Sequence, residues 1–267
     1  MCRKRKYFIF FILLILVLTV GIIGAGQKDL SIEENIKIEL SKIHAKSLKP
    51  QKDNKYKYVA IGNSVTIHEV NELWPGNWGM AATAPENDYV HILSNLIEKN
   101  TGYSVETTVL SCKAWELSVE RENMLSQYDS IPEDADLITI QTGENVTLDM
   151  ENLQEDYETF FDFIRSKAPD AQILVLGEIL WPNPVIEQAK QNACTEYNMK
   201  FINMNEFLSG YDDMYKSSLG EIIVGESGST YTITNDAVAA HPNDAGMEKI
   251  AEIINENIDM GDKDLLN

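Results

Sequence analysis

The chain has 267 residues, 44% of them hydrophobic and 24% charged, which is enough for one α/β domain with a core of its own. Its formal net charge is −20; four of the 22 cations, Arg3, Lys4, Arg5 and Lys6, sit at the N-terminus, so 18 cations face 42 acids from Gln27 onward. A surface of that sign repels phosphate backbones and argues against DNA or RNA binding, while it also serves solubility.

Residues 7–26 carry no charge and are mostly Phe, Ile, Leu and Val. A run of this length after a basic cluster is too long for an ordinary signal core and near what a bilayer span needs. It predicts an anchor over residues 1–26, with the domain held outside the cytoplasm by the positive-inside rule. Gly24-Ala25-Gly26 leaves cleavage, and hence secretion, as the alternative. Residues 27–54 are polar and lysine-rich and read as a stalk or N-terminal helix. The domain is expected over 55–260, with a tail at 261–267. Cys112 and Cys194 are the cysteines of that domain. A disulfide is open to them outside the cell, but two cysteines make no scaffold, and separate semi-buried thiols are expected. No Cys, His and acid spacing fits zinc, so neither metal nor cofactor is expected.

The first strand is the apolar run Tyr58-Val59-Ala60-Ile61, bounded upstream by lysines and delivering the turn Gly62-Asn63-Ser64. In an open α/β sheet, ligands bind outside the carboxyl ends of strands, so a serine there faces a substrate. Residues 74–82 are loop by their Pro and Gly content. A helix over 88–99 places Tyr89, Ile92, Leu93, Leu96 and Ile97 on one face, and Asn100-Thr101-Gly102 stops it. Strand two spans 105–110, and 115–124 is predicted helical. Strand three spans 135–141 and ends in Gly143-Glu144-Asn145. Leu153, Tyr157, Phe160, Phe161 and Ile164 stripe the next helix. Strand four spans 173–176, Trp181-Pro182-Asn183-Pro184 breaks the chain, and a helix runs to about Tyr197. Strand five spans 201–204. Residues 210–240 are irregular, with a hairpin expected around 227–229. Met247, Ile250, Ala251, Ile254 and Ile258 share a face of the last helix, which His241-Pro242 opens. Strands alternating with helices predict a parallel sheet covered on both faces.

Ser64, Gly143-x-Asn145 and His241-Pro242, in this order, resemble the SGNH (GDSL-like) hydrolase family over about residues 55–258. The resemblance implies a three-layer α/β/α sandwich around a five-stranded, mostly parallel sheet of flavodoxin-like type. It implies Ser64 as nucleophile and His241 as base. The oxyanion donors would be the Ser64 N–H, a backbone N–H after strand two and the side chain of Asn145. The second of these departs from the family, because Ser111-Cys112-Lys113-Ala114-Trp115 has no glycine; Lys113 or Ala114 is left to donate. The acid that the family carries three residues before the histidine is Val238 here. Asp236, five before, is the candidate to orient His241; otherwise a backbone carbonyl does so and the site is a Ser–His dyad. Asp244, three after, sits in the first turn of the last helix and suits the helix dipole. His68 is expected at the mouth of the site and His91 in a structural role.

Trp74, Trp78, Trp115 and Trp181 fall in loops or near strand ends. Aromatic faces stack on sugars, so all four are candidates for substrate binding, with loop packing as the other reading. The expected function is an extracytoplasmic, membrane-anchored serine esterase acting on small acyl esters, acetyl foremost, of carbohydrates. An O-acyltransferase acting on glycans and a non-catalytic glycan-binding module are the alternatives.

Overall fold

The computed structural model describes residues 55–225 and 228–259. The predicted anchor, stalk and tail lie outside the described residues. Among the described residues, no helix is long and apolar enough to cross a membrane.

Five strands form the main sheet: β1 (Lys55–Gly62), β2 (Ser104–Ser111), β3 (Leu137–Gln141), β4 (Gln172–Leu176) and β5 (Lys200–Ile202). Their order is β2-β1-β3-β4-β5, and every neighbouring pair is parallel. This is the flavodoxin-like order, in which the chain winds to opposite sides of β1 and opens a crevice at the carboxyl ends of β1 and β3. The register puts Ser111, Gly62, Gln141 and Leu176 in one row. The residues that follow them, Cys112, Asn63, Thr142 and Gly177, therefore crowd one edge of the sheet.

Among the described residues, seven α-helices join and cover the strands: α1 (Tyr89–Thr101), α2 (Lys113–Leu117), α3 (Leu153–Lys167), α4 (Pro184–Glu196), α5 (Asn205–Gly210), α6 (Asp236–Ala239) and α7 (Asp244–Asn257). Strand side chains alternate between two cores, as the pleat dictates. Tyr58, Ala60, Leu137, Leu174 and Leu176 pack with the buried faces of α1 and α7. Val59, Ile61, Ile138, Ile140, Ile173 and Val175 pack with α3 and α4. The helix predicted over 88–99 starts and stops on the signals read there. Asp88 caps α1 by accepting from His91 N at 2.8 Å, and Gly102, at φ 73°, ends it. Cys112 and Cys194 are both buried and free, as separate thiols.

Two predicted stretches come out differently. The helix expected over 115–124 breaks after α2, and a 3₁₀ segment, Arg121–Tyr128, follows. The cause is Arg121, a fully buried cation that bonds Asp156 at 2.5 Å and the carbonyl oxygens of Leu148 and Asp149. Burying a guanidinium requires those partners, and reaching them overrides helix propensity. The irregular stretch holds β6 (Ile222–Val224) and β7 (Thr230–Thr232), an antiparallel pair with Gly228 at φ 74° in its turn. A π-turn, Tyr211–Tyr215, extends α5.

Candidate active site

Ser64 stands two residues beyond the end of β1, on a turn that Asn63 builds. The Asn63 carbonyl accepts from Thr66 N and Ile67 N at 2.9 Å each, and its side-chain oxygen accepts from Val65 N at 3.2 Å. The N–H of Ser64 is not among these donors, which leaves it for the site. A Cβ on Gly62 would sit 1.9 Å from Thr66 Oγ1, so the turn closes only over glycine.

His241 comes from the opposite end of the chain. It lies between α6 and α7, and its backbone is held by His241 N to Val238 O at 3.0 Å and by Ser217 N to His241 O at 2.9 Å. Asn243 then caps α7, accepting from Gly246 N at 2.9 Å. The result is a direct pair: Ser64 Oγ lies 2.7 Å from His241 Nε2. His241 Nδ1 lies 2.8 Å from the carbonyl oxygen of Ala237. A carbonyl only accepts, so the proton sits on Nδ1 and Nε2 is left to accept from the serine hydroxyl.

That carbonyl corrects the expectation for Asp236, which is exposed at the first position of α6 and makes no hydrogen bond to His241. From four residues before the histidine, the Ala237 oxygen projects off the end of the short helix onto Nδ1. Val238, where the family has its acid, is buried in the core. Asp244 serves elsewhere, accepting from Thr83 N at 2.8 Å and Asn87 Nδ2 at 2.9 Å to tie the 83–87 loop to α7. The arrangement is a Ser–His dyad with the tautomer set by the backbone.

His241 is 4% exposed. Burial lowers the His241 pKa to about 4; the carbonyls of Ala237 and Val238 oppose this, and nearby His68 adds to it. Above about pH 4 the ring is neutral and able to take a proton. The acid limb of kcat/KM, which reports the base of the free enzyme, is therefore expected near pH 4 rather than at the ordinary histidine value near 6.5. A limb near 6.5, measured while circular dichroism shows the fold intact, would contradict this burial.

Gly143 follows β3 at φ 131°, a conformation that favours glycine, and a Cβ there would lie 3.0 Å from Glu178 Oε1 and 3.1 Å from Lys190 Nζ. This bend delivers Asn145, which is half-buried and donates from Nδ2 to Glu116 Oε2 at 2.6 Å. One of its two amide hydrogens remains for the site. Ala114 sits in the first turn of α2, where backbone N–H groups have no intrahelical acceptor. It also lines a groove of about 480 Å³ with Ile67, His68, Asn77, Lys113 and Leu117. His68 is near enough to His241 to act on its charge, while His91 bonds Asp88 at 2.7 Å.

Three of the four tryptophans are not at the site. Trp74 and Trp78 are buried against each other, edge to face, with centroids 5.5 Å apart. Trp115 is buried on Phe160 at 5.0 Å. The core claims them because each indole removes more apolar area from water than any neighbour could. Trp181 is 51% exposed and stands edge-on to the His241 ring, centroids 6.4 Å apart.

The sequence reading missed a set of polar side chains behind these loops, Lys190 and Glu178 buried and Glu144 half-buried. Glu144 accepts from Asn63 Nδ2 at 2.7 Å, Gln141 Nε2 at 2.8 Å and Ile179 N at 2.7 Å. Lys190 donates to the carbonyl oxygens of Thr142 at 2.6 Å and Leu176 at 3.2 Å. Burial pushes Glu178 up to about 7. The one signal available was Gly143-Glu144-Asn145, which sets an acid inside a recognised turn. Among the described residues, no group of three or more His, Cys, Asp or Glu is placed to hold a metal ion.

No family model matches the chain, and no curated protein matches it. Solved structures do. A protein described as a GDSL-like lipase, from Bacteroides ovatus, aligns at 15% identity over 76% of this chain and 97% of its own, with a TM-score of 0.48. Phospholipase A1 from Streptomyces albidoflavus aligns at 14% identity over 76% and 99%, with a TM-score of 0.44. A carbohydrate esterase family 2 enzyme from Corynascus thermopiles aligns at 16% identity over 78% and 66%, with a TM-score of 0.46. At these identities the likeness concerns the fold, and the chemistry rests on this chain's own side chains.

Proposed function

We propose that this chain is an SGNH-type serine esterase that works with a Ser–His dyad. The observation that carries the reading is the 2.7 Å contact between Ser64 Oγ and His241 Nε2, with Nδ1 occupied by a carbonyl. Ser64 Oγ attacks the ester carbonyl and passes its proton to Nε2. Negative charge develops on the former carbonyl oxygen, which the N–H groups of Ser64 and Ala114 and the amide of Asn145 receive. The alcohol leaves with the proton from Nε2. Water then attacks the acyl-enzyme with His241 again as base, releasing the acid and restoring the serine.

The substrate we infer is a small acyl ester, acetyl foremost, on a carbohydrate. Trp181 supports this, since a half-exposed indole beside the base offers a stacking face for a sugar ring. The groove lined by Asn77, His68 and Lys113, the last paired with Glu69, offers hydrogen bonds for hydroxyl groups. We also propose that the basic cluster and the uncharged run at 7–26 anchor the domain outside the cytoplasm, where such glycans are found.

The test compares kcat/KM for an acetylated oligosaccharide with that for a chromogenic acetyl ester. The oligosaccharide is expected to be preferred, and Trp181→Ala to shrink the ratio by roughly tenfold, the order of one stacking contact. An unchanged ratio removes the sugar reading and leaves the esterase.

A further inference from the structure

Glu116 is fully buried in α2 and lies between the elements that carry the proposed chemistry. Its Oε1 accepts from Asn63 Nδ2 at 3.0 Å, Thr142 Oγ1 at 3.1 Å and Gly143 N at 2.6 Å, and its Oε2 from Asn145 Nδ2 at 2.6 Å. All four partners donate, so the group acts as an acceptor only, the role of an ionised carboxylate. Asn63 is the residue before Ser64, and it spends both amide hydrogens on acids: Glu116 at 3.0 Å and Glu144 at 2.7 Å. Burial and the Glu144 charge raise the Glu116 pKa, and its donors, Asn145 first, oppose them.

Keeping one carboxylate fully buried and a second, Glu144, half-buried around one amide is costly, and an apolar side chain would fill the space of Glu116 more cheaply. What an apolar side chain cannot do is choose an amide's orientation. The terminal torsion of asparagine is broad and close to two-fold, so packing alone hardly separates oxygen from nitrogen. An acceptor-only partner at Nδ2 does separate them. It holds one N–H and turns the other outward, whereas a flipped amide would set oxygen against oxygen.

We propose that Glu116 is a positioning residue for the oxyanion donor: it locks the Asn145 amide with N–H toward the reacting carbonyl and ties it through Asn63 to the Ser64 turn. This rests on the esterase reading above. Such a residue acts on the transition state and not on substrate binding, so its loss should appear in kcat with KM little moved.

The experiment is a double-mutant cycle on the full chain with a chromogenic acetyl ester, with folding followed by thermal melting. Glu116→Gln keeps the shape but replaces one acceptor by a donor. It is expected to lower kcat by about 10- to 100-fold, with KM within about twofold, part of what one oxyanion donor supplies. In an Asn145→Ala background the same change should cost less than about twofold, because its target is gone. Equal losses in both backgrounds, or full activity of Glu116→Gln, would overturn the proposal. If Glu116→Gln does not fold, Glu116→Asp, which keeps the charge and shortens the reach, takes its place in the cycle under the same criteria. Failure of the esterase reading looks different: the folded wild type would neither turn over esters nor react with a fluorophosphonate.

Discussion

Ser64→Ala is expected to abolish turnover of a small acetyl ester. Ser64 is the hydroxyl bonded to His241 Nε2, and Cys112 and Cys194 are buried thiols whose pKa values burial raises, Cys194 to about 12. His241→Ala should cost nearly as much, and the double variant little more, because members of one catalytic unit are not additive. A fluorophosphonate should label Ser64 in the wild type and His241→Ala far less, since the hydroxyl needs Nε2 to take its proton. Asp236→Asn should keep kcat, as the Nδ1 proton is held by the Ala237 carbonyl and not by a carboxylate. A large loss in Asp236→Asn would restore a triad. Labelling of Ser64→Ala at another residue would move the nucleophile.

Asn145→Ala is expected to retain labelling but lose on the order of 10²–10³ in kcat, the usual cost of one oxyanion donor. The loss should fall on kcat with KM nearly unchanged, since the developing oxyanion is present in the transition state and not in bound ester. Removing the amide also takes one donor from Glu116. The variant should therefore melt lower, because a buried carboxylate loses part of its satisfaction. A variant with full kcat would place the oxyanion on backbone N–H groups alone.

The fold was legible because its signals are local. The apolar runs of β1, β3 and β4 are those of strands buried on both faces, and the stripes of α1, α3 and α7 have helical period. The alternation of the two predicts the parallel sheet without any distant contact. The helix expected over 115–124 failed for a tertiary reason: Arg121 follows its partners on Leu148, Asp149 and Asp156.

The site was legible in part. Glycine turns after strands mark Ser64 and Asn145, and a proline before a helix marks His241, each by backbone chemistry that sequence carries. The tryptophans were not, because an indole in a loop can face either core or solvent, and only packing separated Trp181 from Trp74, Trp78 and Trp115. Asp236 was not, because an acid five residues away is near in sequence whether or not its side chain faces the ring.

The sequence by itself determined the strand order's raw material, the three loops that carry the proposed chemistry and the absence of an acid where the family it resembles keeps one. Only the tertiary structure decided what replaces that acid and what stands behind the oxyanion donor. A backbone carbonyl has no letter in the sequence, so Ala237 could not announce itself as the partner of Nδ1. Nothing local marks Glu116; the sheet register brings the ends of β1, β2 and β3 into one row and closes Asn63, Gly143 and Asn145 around it.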